Sequence, residues 1–321
     1  MIIVTGGAGF IGSALVWGLN KRGETEIVVV DEKGKEKHAN LKKLKYEEFV
    51  DKESFLKNLG DYSAATAFLH MGACASTTEK NLDFLRKNNT EYTRKLCEFC
   101  LDNGIRFVYA SSAATYGAGE KGYSDDHARL KSLRPLNPYG WSKHFFDLWA
   151  LQSGALDKVA GLKYFNVYGP NEYHKKDMKS MVCKAFEQVK KTGNIGLFKS
   201  YKKEYADGEQ KRDFLYVKDA VDMTLFFLDN QDKNGIYNVG AGKARAWNDL
   251  ANAVFKAMKK PVKIQYIDMP AAIRNQYQYF TEADLKKLRA AGYGKPTTSL
   301  EAGVADYVKN YLLAKNAYLG G

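Results

Sequence analysis

A tyrosine and a lysine stand four positions apart in the segment Tyr139-Gly-Trp-Ser-Lys143. On a helix this spacing places both side chains on one face, where a lysine ammonium lowers the pKa of a neighbouring phenol from about 10 toward neutral pH. Such a phenol can take a proton from a carbinol oxygen or return it. The same spacing also arises by chance on surface helices, so the pair needs support from other residues.

A serine supplies that support. Ser112 follows a predicted strand over residues 106–111. Because doubly wound parallel sheets place ligands at the carboxyl ends of their strands, the Ser112 hydroxyl can polarise the oxygen on which Tyr139 acts. Ser111 competes for this role on sequence grounds. We predict Tyr139, Lys143 and Ser112 as catalytic residues and no metal site.

Glycines recur at every third position near the N-terminus. Gly6, Gly9 and Gly12 follow an apolar strand over residues 2–5 and open a predicted helix over residues 10–21. Glycine lets a pyrophosphate approach the N–H groups at a helix N-terminus. Asp31 ends the second predicted strand, about 20 residues on, where a carboxylate binds an adenosine ribose. The pattern predicts a nicotinamide dinucleotide as cofactor, and therefore an enzyme that moves a hydride.

The residues after Asp31 leave the type of dinucleotide open. Asp31 itself favours NAD. The lysines of Glu32-Lys33-Gly34-Lys35-Glu36-Lys37, together with Lys52, can instead hold the 2′-phosphate of NADP, or they form a solvated charged loop.

Alternating strands and helices predict how these groups are positioned. Strands are predicted at residues 2–5, 26–31, 67–71, 106–111 and 162–167, with helices between them. This alternation indicates an α/β fold with a Rossmann-type doubly wound parallel sheet. Beyond residue 170 we predict helices at 178–192, 217–230, 247–259 and 281–291, a charged loop at 199–212 and a frayed end at 314–321. We expect a dinucleotide-binding domain over residues 1–168 plus about 214–239, and a smaller C-terminal α/β substrate-binding lobe over 169–213 and 240–321.

Composition argues against several classes of protein. The net charge is +12, but the lysines are scattered and no base-reading module accompanies them, so we predict no nucleic-acid partner. A solvated surface explains the charge, and attraction of an anionic substrate is the functional alternative. No run approaches the roughly 20 apolar residues of a membrane helix, and no signal peptide is apparent. The four cysteines are predicted to be free thiols in a reducing cytoplasm.

Longer motifs carry a resemblance to a known family. They are Ser111-Ser-Ala-Ala-Thr-Tyr-Gly117 and His174-Lys175, which are the most selective, and residues 70–78, 164–170, 211–217 and 288–293. On these motifs, nearly the whole chain resembles the extended short-chain dehydrogenases/reductases of the NAD-dependent epimerase/dehydratase family, which modify nucleotide sugars. Within that family it is most similar to the bacterial epimerases that act on an ADP-linked heptose in lipopolysaccharide core synthesis.

The resemblance implies a reaction and its participants. It implies epimerisation at C6″ of the ADP-heptose by transient oxidation, with bound NADP, a second acid/base group at Lys175, and a ring-like homo-oligomer, pentameric by resemblance. It implies cofactor contacts at Phe10, Ile11, Asp31, Glu32, Lys37, Lys52, Met71, Gly72, Ala73, Cys74, Ala75, Asn88, Lys143, Val167 and Lys175. It implies substrate contacts at Ser112, Asn166, Asp177, Lys184, Phe198, Lys199, Ser200, Tyr201, Arg212 and Tyr277.

Five of the implied substrate contacts have an alternative role or depart from the usual pattern of the family. The guanidinium fork of Arg212 suits a pyrophosphate, with a salt bridge to Asp213 or Asp219 as the alternative. Asp177 and Lys184 stand where the family commonly has small-polar and histidine substrate contacts. The loop 199–211 is longer than usual, which affects the alignment of Ser200 and Tyr201.

Other functions stay open on the sequence alone. A UDP-sugar 4-epimerase shares the fold, the cofactor and Tyr139, but has no evident need for Lys175. A 4,6-dehydratase needs an acid/base pair directly after the serine, where this chain has Ala113 and Ala114. A non-catalytic NADP-sensing protein often loses the Tyr/Lys pair, which is intact here.

Overall fold

Strands and helices alternate along the computed structural model, which describes residues 1–274 and 277–320. In those ranges the strands are β1 (Ile2–Thr5), β2 (Ile27–Asp31), β3 (Glu48–Asp51), β4 (Ala67–His70), β5 (Arg106–Ser112), β6 (Ala160–Tyr164), β7 (Asn166–Tyr168), β8 (Ile195–Phe198), β9 (Lys211–Tyr216), β10 (Gly235–Val239), β11 (Ala244–Ala246) and β12 (Ile264–Ile267). The helices are α1 (Phe10–Lys21), α2 (Lys35–His38), α3 (Lys52–Lys57), α4 (Leu82–Leu85), α5 (Tyr92–Asp102), α6 (Pro138–Gln152), α7 (Met181–Thr192), α8 (Val217–Asp229), α9 (Trp247–Ala257), α10 (Ala271–Arg274), α11 (Lys286–Ala290) and α12 (Leu300–Tyr307).

Seven of the strands form one parallel sheet in the order β10-β6-β5-β4-β1-β2-β3. Successive residues of a strand face opposite sides, so Val4 packs into one apolar core and Ile3 into the other. Helices cover both faces, which confirms the predicted doubly wound α/β fold. The strand order reverses between β1 and β4, and sheets of this kind bind ligands in the crevice at that point.

The predicted strand over residues 162–167 is two strands. β6 belongs to the large sheet, whereas β7 joins β9 and β11 in a smaller one. Phe165 lies between them, and its N–H donates to the carbonyl of Val239. The chain therefore leaves the large sheet at this residue, and the side chains of β7 turn toward the C-terminal half.

Two predicted segments differ from the observed structure, and both differences have the same cause. The charged loop 199–212 ends in β9, and the predicted helix 281–291 shortens to α11. The N–H of Thr281 donates to the carbonyl of Lys211, and that of Ala283 to the Asp213 carboxylate. Pairing with β9 thus replaces the first helical turns. β10 lies in the large sheet, and the division into two lobes stays a prediction.

The predicted fraying of the C-terminus is wrong for residues 317–319. Leu319 is only 1% exposed, and its N–H donates to Oδ1 of Asn171 at 2.9 Å. The carbonyl of Ala317 accepts a hydrogen bond from the Tyr173 hydroxyl at 2.6 Å. Burial of one apolar side chain and two distant hydrogen bonds hold this end in place.

The described ranges contain no helix with both the length and the apolar character needed to cross a bilayer. Within the same ranges no group of His, Cys, Asp and Glu side chains is arranged to hold a metal. All four cysteines are free thiols.

Candidate active site

Two cavities meet at Lys175 and Met178, which line both of them. The first cavity, about 430 Å³, lies where β1, β2 and β4 end. The second cavity, about 490 Å³, lies between β7, β8 and the start of α7. The site therefore has two compartments with one lysine at their junction.

The glycine turn forms one wall of the first cavity. Gly9 precedes α1 and offers no side-chain cap to its N-terminus. A Cβ on Gly12 would lie 2.1 Å from the carbonyl oxygen of Gly6. A Cβ on Gly6, whose φ is +65°, would lie 2.6 Å from the backbone nitrogen of Gly72. Only glycine permits this close packing, which leaves the helix N-terminus open to an anion.

Charged side chains cluster at the far end of the first cavity. Oδ2 of Asp31 accepts from the N–H of Ala8 at 3.0 Å, and Oδ1 lies 3.1 Å from Nζ of Lys37. Lys52 donates to Glu32 and, at 2.8 Å, to Oδ1 of Asn88. The hydrogen bond from Lys52 lowers the pKa of Glu32 below its ordinary value. A ribose acceptor and two lysines thus stand together, and with the glycine turn they fit a dinucleotide.

The structure brings nearly all predicted cofactor contacts to the wall of the first cavity. They are Gly6, Gly9, Phe10, Ile11, Gly12, Asp31, Glu32, Lys37, Lys52, Met71, Gly72, Ala73, Cys74, Ala75, Asn88 and Lys175. Val167 is placed differently, because β7 carries it into the wall of the second cavity. Lys143 lies behind the wall, where its Nζ donates to the carbonyl of Ala110 at 2.8 Å.

Tyr139 and Lys143 lie in the first turns of α6. The side chain of Asn137 caps this helix by accepting from the N–H of Gly140 at 2.8 Å, and Pro138 opens it. Burial raises the pKa of Tyr139, and the nearby Ser112 hydroxyl opposes the rise. Burial lowers the pKa of Lys143 to about 8. The expected lowering of the phenol pKa is therefore not found, because burial outweighs other effects and the amine donates to Ala110.

The structure distinguishes the two candidate serines. Ser111 is buried and its Oγ donates to Oδ2 of Asp147 at 2.7 Å. Ser112 is partly exposed, accepts from the N–H of Ala114 at 3.1 Å, and interacts with Tyr139. Ser112 is thus the serine beside the phenol.

Lys175 stands in the helical turn Tyr173–Met178. Its Nζ lies 5.2 Å from the centre of the Phe10 ring. Burial lowers its pKa, while the carboxylate of Glu172 acts in the opposite direction. Sequence reasoning missed Glu172, which is fully buried and accepts from the N–H of Gly169 and the hydroxyl of Ser180. Its position three residues before Lys175 was the sequence feature that could have identified it.

Arg212 is a buried cation without a carboxylate partner in the described ranges. Its side chain is 6% exposed and stacks 5.0 Å from the Tyr277 ring and 5.7 Å from the Trp247 ring. The nearby carboxylates are engaged elsewhere: Asp213 with the N–H groups of residues 241, 242 and 283, and Asp219 with Thr298. The alternative salt bridge is not formed. Since Tyr277 and Trp247 line the second cavity, the guanidinium is suited to an anion there.

The other predicted substrate contacts divide into two groups. Asn166, Lys184, Phe198 and Tyr277 line the second cavity, whereas Ser112, Asp177, Lys199, Ser200 and Tyr201 line neither cavity. The long loop binds back onto the protein instead. Lys199 lies 3.3 Å from Asp268, the N–H of Ser200 donates to Asp207 at 2.7 Å, and the Tyr201 hydroxyl donates to Asp268 at 3.1 Å.

Comparison with known proteins identifies a family and several similar proteins. The family described as "NAD dependent epimerase/dehydratase family" matches residues 2–240. Two bacterial proteins named ADP-L-glycero-D-manno-heptose-6-epimerase are similar over 99% of this chain and their own full length. The one from Nitratidesulfovibrio vulgaris (strain DP4) is 53% identical, and the one from Fusobacterium nucleatum subsp. nucleatum is 50% identical.

Two solved structures of epimerases are similar to this chain over nearly its whole length. The crystal structure of the Helicobacter pylori ADP-L-glycero-D-manno-heptose-6-epimerase matches with a TM-score of 0.81 and 28% identity, covering 96% of this chain and 95% of that one. The Thermus thermophilus UDP-glucose 4-epimerase, in complex with NAD, matches with a TM-score of 0.74 and 28% identity, covering 98% of this chain and 99% of that one.

Proposed function

This chain belongs to the NAD dependent epimerase/dehydratase family, and we propose that it interconverts ADP-D-glycero-D-manno-heptose and ADP-L-glycero-D-manno-heptose. The observation that carries the proposal is the position of Lys175, which lines both the dinucleotide cavity and the second cavity. A second acid/base group at this junction suits inversion of a carbinol carbon. A 4-epimerase with one phenol has no evident need for it.

Tyr139 and Lys175 carry the proton transfers in this proposal. A nicotinamide dinucleotide, when bound, supplies the acceptor that takes a hydride from C6″ and gives it back to the opposite face. Tyr139, beside Ser112, exchanges a proton with the C6″ oxygen in one orientation, and Lys175 does so in the other. Burial lowers the pKa of Lys175 and makes its amine available as a base nearer neutral pH.

Arg212 holds the pyrophosphate of the substrate in this proposal. A guanidinium in a site with little water makes paired, charge-assisted hydrogen bonds to phosphate oxygens. Asn166, Phe198 and Tyr277 form the surrounding wall, with Lys184 adding positive charge. The net charge of +12 favours approach of an anionic sugar nucleotide.

We infer NADP as the dinucleotide. Lys37 and Lys52 lie beside Asp31 and Glu32 in the first cavity, where a 2′-phosphate of the ribose would need positive charge. The cytoplasmic location and the pentameric homo-oligomer follow only from the resemblance. Light scattering coupled to size-exclusion chromatography tests the pentamer.

The test of the reaction is proton NMR of ADP-D-glycero-D-manno-heptose incubated with the purified protein and no added reductant. Inversion at C6″ supports the proposal. Turnover of UDP-galactose, with no change at C6″ of the heptose, contradicts it and favours a UDP-sugar 4-epimerase.

Two variants test the assigned acid/base roles. Tyr139→Phe and Lys175→Met should each lower kcat by about 100-fold or more, the range of general acid/base catalysis, with bound dinucleotide retained. Lys176→Met is the matched control, since its side chain is the exposed neighbour of Lys175 and should leave kcat unchanged. A near-normal rate in either test variant removes that residue from the mechanism.

A further inference from the structure

The last described residues of the chain lie against the segment that carries Lys175. Tyr173 donates its hydroxyl hydrogen to the carbonyl of Ala317 at 2.6 Å, and its ring makes an edge contact with Tyr318 at 5.3 Å. Oδ1 of Asn171 accepts from the N–H of Leu319 at 2.9 Å. Residues 317–319 therefore contact both Asn171 and Tyr173, the second of which is two positions before Lys175.

Asn171 also connects this segment to the glycine turn. Its Nδ2 donates to Oγ of Ser13 in α1 at 2.9 Å, and its carbonyl accepts from Nδ2 of Asn40 at 3.0 Å. Asn40 donates in addition to the carbonyl of Ala8, within the glycine turn. Asn171 is fully buried, so all of these bonds are shielded from water. Ser13, Asn40 and Leu319 thus all form hydrogen bonds with Asn171.

The turn that carries Lys175 has little internal support. It is a short 3-10 turn, in which hydrogen-bond geometry is poor. Lys176, directly after Lys175, has φ 47°, a conformation that is unfavourable for a non-glycine residue and persists only where the surroundings impose it. External contacts therefore decide where the Lys175 amine lies. They are those of Glu172, the hydrogen bond between Asn40 and His174 at 3.2 Å, and those of residues 317–319 with Tyr173.

We propose that residues 317–319 form a C-terminal strap that positions Lys175, with Asn171 and Tyr173 as the positioning residues. The inference rests on the proposed function in so far as Lys175 is the second acid/base group. Without the strap the turn loses two of its anchors, and the amine moves away from the junction of the two cavities.

Two variants remove the strap to different degrees. A chain ending at Asn316 lacks it entirely, whereas Tyr173→Phe removes one hydrogen bond and keeps the ring. Because displacement of a reacting group by about 1 Å can cost about 100-fold in rate, we expect kcat to fall about tenfold or more in the shortened chain and less in Tyr173→Phe. KM for ADP-heptose and the amount of bound dinucleotide should stay near those of the full chain. Lys315→Ala changes an exposed side chain of the same tail and should leave kcat unchanged.

A double-variant comparison separates positioning of Lys175 from a general structural effect. If the strap acts through Lys175, shortening the chain in a Lys175→Met background should lower the residual rate little further, because coupled residues are not additive. The same fold-loss in both backgrounds overturns the proposal. So does a shortened chain whose kcat equals that of the full chain.

A chemical measurement tests the strap independently of turnover. Reductive methylation of Lys175, followed by mass spectrometry, should change in rate when the chain ends at Asn316, with the exposed Lys95 as internal reference. If the full chain leaves ADP-heptose unchanged, the proposed function fails and this measurement still decides the strap. An unchanged methylation rate at Lys175 overturns it.

Discussion

Nζ of Lys163 lies 2.7 Å from Oδ2 of Asp147, and neither side chain is exposed. Asp147 also accepts hydrogen bonds from the hydroxyls of Tyr109 and Ser111, and Lys163 donates to Thr115. This ion pair joins α6, which carries the predicted catalytic tyrosine and lysine, to β5 and β6. The pair therefore holds the catalytic helix against the carboxyl end of the sheet.

The ion pair makes a prediction about stability. Asp147→Asn leaves the Lys163 ammonium buried without its counter-charge and should lower the free energy of unfolding by about 3–5 kcal/mol. Adding Lys163→Met removes the stranded charge, so the double variant should recover part of the loss. Urea denaturation measures both, with Glu98→Gln in the exposed Arg94–Glu98 pair as the control at well under about 1 kcal/mol. A double variant no more stable than Asp147→Asn would contradict this account.

Lys143→Met should stabilise the protein near neutral pH. Burial lowers the pKa of Lys143 in the folded chain to about 8, below its pKa in the unfolded chain. The stability of the folded chain is therefore greatest above the unfolded pKa, where the lysine is neutral in both states, and it falls as the pH drops through about 8. Methionine carries no charge to desolvate, so we expect a gain of about 1–2 kcal/mol below that pH, after subtracting the lost bond to Ala110.

The gain from Lys143→Met should shrink as the pH rises from about 8 toward 10, since the lysine then loses its proton in both states. Thermal unfolding across this pH range checks the trend. Lys95→Met, at an exposed position of α5, should show no such dependence. A variant less stable than the parent at every pH would refute the prediction.

Ser112 and Ser111 should respond differently to the same change. Ser112→Ala removes the hydroxyl beside Tyr139 and should lower kcat by about 100-fold, as loss of one donor to a reacting oxygen does. Ser111→Ala removes a bond to Asp147 and should instead cost about 1 kcal/mol of stability with little change in kcat. Steady-state kinetics and urea denaturation of both variants make the comparison. The reverse pattern would show that Ser111 is the functional serine.

Arg212→Met should raise KM for ADP-heptose without unfolding the protein. A hydrogen bond to a charged group contributes about 1.5–3 kcal/mol, which corresponds to a rise in KM of about 10- to 100-fold. The fold should tolerate the change, since Arg212 has no carboxylate partner in the described ranges and methionine keeps the packing against Tyr277. Arg245→Met, on the neighbouring strand and paired with Asp249 and Glu301, is the matched control and should leave KM unchanged.

Replacement of Lys37 and Lys52 by alanine should weaken NADPH more than NADH. Each lysine removed takes away one charge-assisted contact to a 2′-phosphate, a group that NADH lacks. We expect the NADPH dissociation constant to rise about 10- to 100-fold and that of NADH to change far less. Fluorescence titration measures both constants, with Lys33→Ala in the exposed part of the same loop as the control. If the dissociation constants of both dinucleotides rise equally, the two lysines do not bind a 2′-phosphate and act only through their ion pairs with Asp31 and Glu32.

Features that depend on neighbours in the chain could be predicted from the sequence. The glycine spacing at residues 6–12, the strand ending at Asp31 and the Tyr139/Lys143 pair on one helix follow from local periodicity and turn chemistry. Together they indicated the doubly wound sheet and the dinucleotide cavity. The resemblance of longer motifs added Lys175, about half of the residues that line the first cavity and a smaller share of those that line the second.

Contacts between distant segments were decided only by the tertiary structure. Ser111 and Ser112 are adjacent, and the position of Asp147 distinguishes them. Val167 left the large sheet because β7 pairs with β9, more than 40 residues on. Within the described ranges Arg212 has no carboxylate partner, because Asp213 accepts hydrogen bonds from backbone N–H groups instead. Residues 317–319 are held in place by hydrogen bonds with Asn171 and Tyr173. Periodicity reports which face of an element is apolar, but which partner meets that face depends on how the whole chain closes.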